Sequence, residues 1–131
     1  MSQDIEGFVR ELNNTWQQGK LEELTRFYHP DVVLLPPDAG EPIYGRSAVI
    51  DTYGDFASAA TLHEFVISSL EVFDFAATAV VHMGFAVEFS LQQQRLRESG
   101  LEVYVLNITD GEPAIVWRCQ NILESREIIR S

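Results

Sequence analysis

The chain has 131 residues, 46% of them apolar, and 20 acidic side chains against 9 basic ones give it a net charge of −11. That length fits one domain with an ordinary core, and no apolar run approaches the ~20 residues a helical membrane span needs. The bases are scattered, with Arg95 and Arg97 the only close pair, so the clustered Lys/Arg of a nucleic-acid or anionic-membrane surface is missing.

The acidic start, Met1 to Glu6, lacks the basic-then-apolar order of a signal peptide, and a cytoplasmic protein is expected. Cys119 is the single cysteine, which leaves no internal disulfide and no thiolate metal cluster. His29, His63 and His82 are too far apart to form a local ligand pair, and no glycine-rich phosphate loop is present, so no metal or cofactor is expected.

Ile5, Phe8, Val9, Leu12 and Trp16 recur at helical spacing and predict a first helix, with Asp4 and Glu6 at its positive end and Gly19 as its stop. Leu21, Leu24 and Phe27/Tyr28 predict a short second helix that ends before Pro30. A strand follows at Asp31 to Leu35, then a loop from Pro36 to Pro42. Ser47 is the expected N-cap of a third helix, whose Val49, Tyr53, Phe56, Ala57 and Ala60 form one stripe. After Thr61 the period falls to two. Strands are predicted at 62–73, 76–90, 100–109 and 114–123, with a turn at Asp74, a polar loop at 92–99 and a tight turn at 110–113. The charged tail 124–131 is expected to be loose. This order predicts an α+β domain spanning 1–131, in which three N-terminal helices pack on a strongly curved sheet over an apolar pocket.

Both faces of the predicted strands are apolar. Ala77, Ala79, Val81, Met83, Phe85, Val87 and Phe89 alternate with Ala76, Thr78, Val80, His82, Gly84, Ala86 and Glu88. Three short helices cover one face, so the other wants a partner, and a homodimer through the sheet is the simplest one.

The pattern Trp16-x-x-Gly19-x-Leu21-x-x-Leu24-x-x-Phe27-Tyr28-x-x-Asp31-Val32, followed by Ile43-x-Gly45-Arg46-x-Ala48-Val49, resembles the nuclear-transport-factor-2-like superfamily, in particular its SnoaL-like and ketosteroid-isomerase-like branch. The resemblance spans residues 4–123. It implies a cone-shaped half-barrel, a small apolar ligand between helices and sheet, and dimers through the sheet. The fold hosts isomerases, cyclases, dehydratases, hydrolases and non-catalytic interaction domains, so the motif speaks to fold more than to reaction. Carried over position by position, the isomerase base falls on Pro36 and its hydroxyl donor on Leu12, which makes steroid isomerisation unexpected; the third role falls on Glu102. No Asp-Arg-Asp set of the hydrolase branch can be assembled.

Glu102 is the catalytic candidate. It shares a strand face with Tyr104 and Leu106, which the resemblance turns inward. An acid stripped of water favours its protonated form and can exchange a proton near neutral pH. Simple alternation in the last strand puts Arg118 outside, so no base is expected to oppose this, and Glu102→Gln is expected to be neutral or stabilising. His63 and His82, with Tyr28, Tyr44, Tyr53 and Asp31, form a second candidate set of dehydratase type, although His82 alternates away from Met83 and Phe85. The expected pocket walls are Trp16, Tyr28, Leu35, Tyr44, Tyr53, Phe56, Met83, Phe85, Tyr104, Trp117 and Asn121. Two functions remain open: an acid–base enzyme or binder acting on an apolar carbonyl or cyclic molecule, and a non-enzymatic interaction domain with a residual cavity.

Overall fold

Residues 4–37 and 40–128 are described by a computed structural model of the chain. Helix α1 (Ile5–Gln17) is opened by Asp4, whose carboxylate accepts a hydrogen bond from Gly7 N at 2.9 Å. It buries Ile5, Val9 and Leu12, and Gly19 at φ +75° turns the chain into a 3-10 helix at Leu21–Phe27. Strand β1 (Tyr28–Leu35) starts directly after this turn. The two-residue strand β2 (Ile43–Tyr44) leads to α2 (Arg46–Ala59). The N-cap of α2 is Gly45 at φ +95° rather than Ser47, and no side chain caps it. Gly45 N instead donates to Val32 O at 2.8 Å, which ties the start of α2 to β1. Asp38 and Ala39 of the predicted loop lie outside the described residues.

Four long strands complete the chain: β3 (Ala60–Phe75), β4 (Thr78–Leu91), β5 (Gln94–Thr109) and β6 (Glu112–Glu127). The sheet order is β2-β1-β6-β5-β4-β3, antiparallel except where β1 lies parallel to β6, and it is not closed. Two of the hairpin loops are shorter than the sequence implies. Gln92 and Gln93 close β4 to β5 with φ of 50° and 70°, so the polar stretch 94–99 is strand and not loop. Asp110-Gly111 is the usual chemistry for such a turn, whereas Gln-Gln carries no signal for positive φ and hides it. The turn expected at Asp74 falls instead after Phe75, with Ala76 at φ 63°. The tail remains in β6 as far as Glu127, paired with β5, so residues 124–127 are strand, while 129–131 lie outside the described residues.

Extra residues in the strands bend the sheet and decide which side chains face the helices. In β3 the pairing with β4 skips His63 and Ser68, so Leu62, Phe65, Ile67, Leu70 and Val72 all pack toward the core. In β6 Val105 pairs with Trp117 but Leu106 pairs with Ile115, leaving Val116 as the extra residue. Ile115 is therefore inward before this bulge and Arg118 is inward after it, both buried. The plain alternation that placed Arg118 outside and Trp117 and Asn121 inside breaks at Val116.

The core lies between this concave face and the helices, with Leu12, Leu24, Phe27, Val32, Val49, Val81, Met83, Leu106 and Ile115 among its buried residues. On the opposite face, Phe73, Val80, Val105, Trp117 and Val33 stand in register across five strands.

Candidate functional site

At the wide end of the core an apolar cavity of about 370 Å³ remains open. Its aromatic wall grows from α1 and α2 against β3 and β4. Trp16 packs on Tyr53, Phe56 and Phe65, with ring centroids 6.0, 6.3 and 5.2 Å away. Phe65 stacks on Phe85 and Phe56 meets Phe89 edge-on. The indole is fixed by its own helix: Trp16 Nε1 donates to Asn13 Oδ1 at 2.9 Å, and Asn13 Nδ2 donates back to Val9 O at 2.9 Å.

The floor of the cavity is polar, and every side chain in it is held. Glu102 is 4% exposed and Arg118 7%. Arg118 Nη2 donates to Glu102 Oε1 at 2.8 Å and Nε to Oε2 at 3.2 Å, a two-point ion pair. Gln120 Nε2 donates to Oε1 at 2.8 Å and the Tyr104 hydroxyl donates to Oε2. The other edge of the guanidinium, Nη1, donates to Tyr53 Oη at 3.0 Å and Tyr28 Oη at 3.5 Å, and those two hydroxyls share a hydrogen bond of 2.5 Å. Five chain segments meet here. The 3-10 helix delivers Tyr28 to the start of β1, α2 delivers Tyr53, β5 delivers Glu102 and Tyr104 two residues apart on one face, and the β6 bulge delivers Arg118 and Gln120.

Burial raises the pKa of Tyr28, Tyr53 and Tyr104 above the usual phenol value; Arg118 pulls each of them down by a smaller amount. All three are hydroxyl donors through the physiological range. Burial is the largest single influence on Arg118 and lowers its pKa, but the Glu102 charge together with Tyr53, Tyr28 and Tyr104 outweighs it, and the guanidinium is held well above its ordinary value.

A guanidinium has five N–H donors. In Arg118 the Nε hydrogen, one on Nη2 and one on Nη1, shared by the two neighbouring phenol oxygens, are engaged, which leaves one hydrogen on each Nη. Gln120 spends one Nε2 hydrogen on Glu102. The Tyr28–Tyr53 bond uses one of two hydroxyl hydrogens, and of the pair Tyr53 is the one that lines the cavity. Donors are thus left over on Arg118, Gln120 and the tyrosine pair, while all four lone-pair sites of Glu102 are filled. Among the described residues no group of three or more His, Cys, Asp or Glu is arranged to hold a metal ion.

Of the wall residues expected from sequence, Trp16, Tyr53, Phe56 and Phe85 line the cavity. Tyr28, Met83 and Tyr104 are buried behind it. Leu35 pairs with Cys119, and its neighbour Leu34 faces the cavity instead. Tyr44 is 70% exposed, with Ile43 turned inward in its place. Trp117 and Asn121 are on the far face, because the bulge shifts the alternation by one; the Asn121 amide reaches Cys119 Sγ there. The histidines do not gather: His82 is exposed and pairs across the sheet with Glu71, His63 bonds Ser90 Oγ at 2.7 Å, and His29 Nδ1 accepts from Asp31 N. Arg118, Gln120, Asn13, Phe65, Phe89 and Glu98 line the cavity without having been singled out. The buried arginine gave no sequence signal, since an arginine in a strand reads as solvent-facing.

Residues 9–117 match the SnoaL-like domain family. No curated protein matches the chain. Among solved structures it is similar to a nuclear-transport-factor-2-like protein from Cytophaga hutchinsonii, at 18% identity and a TM-score of 0.77 over 91% of this chain and 95% of that one. A ketosteroid-isomerase-like protein from Erwinia carotovora atroseptica gives 14% identity and a TM-score of 0.77 over 92% and 94% of the two chains. An uncharacterized protein with a cystatin-like fold from Caulobacter vibrioides gives 12% and 0.78 over 92% and 87%. At these identities the likeness is one of fold.

The ion pair reverses the expectation for Glu102→Gln. The substitution leaves a buried guanidinium without its counter-charge and is expected to cost about 3–5 kcal/mol in urea unfolding. Adding Arg118→Met should restore part of that loss, and strictly additive losses would show that the two side chains are uncoupled. The tyrosines set an alkaline limit. Their raised folded-state pKa values mean that the unfolded chain loses these protons first, so their contribution is complete below the free phenol value of 10.0 and is lost as pH rises through the folded values. Unfolding free energy measured against pH should fall above that point, and Tyr53→Phe should flatten the fall; an unchanged slope would contradict it.

Proposed function

The chain belongs to the SnoaL-like domain family, and on that premise we propose that it binds a small, largely apolar molecule through one oxygen acceptor seated on Tyr53, Arg118 and Gln120. The observation that carries this reading is the set of leftover donors at the floor of an aromatic-walled cavity. Glu102 and Arg118 neutralise each other, so the floor suits a neutral carbonyl or ether oxygen better than a free carboxylate. Water alone can occupy such a floor, but the six aromatic rings around it gain from an apolar body.

Chemistry follows from the same geometry. Donors fixed in a dry site stabilise negative charge that develops on a bound oxygen, as when a proton leaves the carbon next to a carbonyl. Glu102 acts here as a positioning residue: its carboxylate is filled by Arg118, Tyr104 and Gln120, and its role is to orient the guanidinium. Pro36 lines the cavity and Leu12 is buried in the core, and neither exchanges a proton, which argues against steroid isomerisation. Binding is therefore the primary function, since with Glu102 filled no described residue beside the floor is placed to take that proton.

The second part of the reading is a homodimer through the far face of the sheet. The in-register row of Phe73, Val80, Val105, Trp117 and Val33 supports it, with Phe73 45% exposed. The alternative, a non-enzymatic interaction domain with a residual cavity, gives the leftover donors at the cavity floor no role.

Calorimetric titration with acetylnaphthalene against ethylnaphthalene tests the pocket. The ketone is expected to bind about tenfold more tightly, the worth of one good hydrogen bond to a charged donor. Tyr53→Phe should narrow that ratio, and equal binding of the two hydrocarbons' analogues would remove the oxygen site. Light scattering at micromolar concentration should give the mass of two chains for the wild type and of one for Val105→Glu. A monomeric wild type would remove the dimer.

A further inference from the structure

The cavity has an uneven charge. Three charged side chains line it: Glu98, Glu102 and Arg118. Glu102 and Arg118 pair at 2.8 Å at the floor. Glu98 remains. It sits on the same face of β5, four residues nearer the hairpin, roughly 13 Å from Glu102 at the rise of an extended strand. Between them lies Gly100, which has no side chain to separate the two ends. Glu98 is partly exposed, at the mouth.

Among the described residues no basic side chain is paired with Glu98. Its described partner is the Ser125 hydroxyl, which donates to Oε2 at 2.9 Å and orients the carboxylate without neutralising it. Val87 faces it from β4. Ser125 faces it from β6, and Glu127 follows on that same face, adding a second negative charge. Arg95 is spent on Glu88 and Arg97 on Glu64, and Arg126 stands beside Arg97 on the opposite face of the ladder. Phe56 and Phe89 approach the same end of the cavity, and their ring faces favour a cation over an anion.

We infer that the ligand is a cationic amine: an elongated, mostly aromatic or apolar molecule that places an oxygen acceptor on the Tyr53–Arg118–Gln120 floor and a protonated nitrogen against Glu98 at the mouth. The inference rests on the pocket reading above and narrows its ligand class. It makes the mouth a selectivity filter for charge. A neutral ligand of the same shape enters without gain, and a carboxylate is repelled by Glu98 and Glu127.

Three acetylnaphthalenes that differ only on the far ring, bearing an aminomethyl, a hydroxymethyl or a carboxylate group, test it by calorimetry at neutral pH and low salt. The amine is expected to bind about tenfold more tightly than the alcohol, and the carboxylate more weakly than both. Raising the salt should erode the preference for the amine and leave the alcohol unchanged. Glu98→Gln should bring the amine and the alcohol to equal affinity, with an unchanged thermal unfolding midpoint reporting that the variant is folded; Glu98→Lys should move the preference to the carboxylate. Equal affinity for amine and alcohol in the wild type overturns the inference alone. So does an amine preference that survives Glu98→Gln. Failure of all three compounds to bind overturns the inference and the pocket reading together.

Discussion

The two-point ion pair between Arg118 and Glu102 organises the rest of the cavity. Both side chains are almost wholly removed from water, where an unpaired charge is costly, so each holds the other in one orientation. The carboxylate also gathers the Tyr104 hydroxyl and the Gln120 amide, and the guanidinium gathers Tyr53 and Tyr28. Segments far apart in sequence are thereby locked at one point. The same pairing leaves the Glu102 carboxylate no open lone pair with which to touch a ligand. A carboxylate that accepts four hydrogen bonds, two of them from a guanidinium, is a fixed anion that shapes its neighbours.

That arrangement depends on a defect in a strand. Without the extra residue at Val116, an inward Ile115 would require an inward Trp117, and Arg118 would stand on the outer face beside Val105 and Leu35. Similar irregularities in β3 keep five apolar side chains on the concave face at spacings of two and three. Gly100 belongs to the same set of constraints. A Cβ there would lie 2.0 Å from the Asn121 carbonyl oxygen, so the close approach of β5 and β6 beside the cavity requires glycine.

The cavity combines an aromatic wall, a charge-neutral floor rich in donors and an acidic mouth. Each part has a different origin. The wall is the ordinary continuation of the core where helices and sheet diverge. The floor is the ion pair with its satellites. The mouth is the end of the β5–β6 ladder, where acidic residues abundant in this chain face inward as well as outward. The ligand proposed above, with a polar end, an apolar body and a charged end, matches these three parts one by one.

Helix and strand order were legible in the sequence because they follow from local periodicity and from Gly, Pro and Asp at the breaks, and the motif from Trp16 to Val49 carried the fold. Trp16, Tyr53, Phe56 and Phe85 were legible as wall because each lies on an apolar stripe of a long element. The strand faces of β6 were not. The set Ile115, Trp117, Cys119 and Asn121 is the more apolar and reads as inward throughout, so the pattern contains no marker for Val116 as a bulge, and the position of Arg118, Gln120, Trp117 and Asn121 followed from pairing with β5. The Gln92–Gln93 turn was hidden for a related reason, since its positive φ values are imposed by the two strands and not favoured by glutamine. What the sequence by itself determined is the set of elements and the side chains available to a cavity. Only the tertiary structure decided which of them meet, because a one-residue shift in a strand reverses every side chain beyond it and is set by contacts between strands, not by neighbours along the chain.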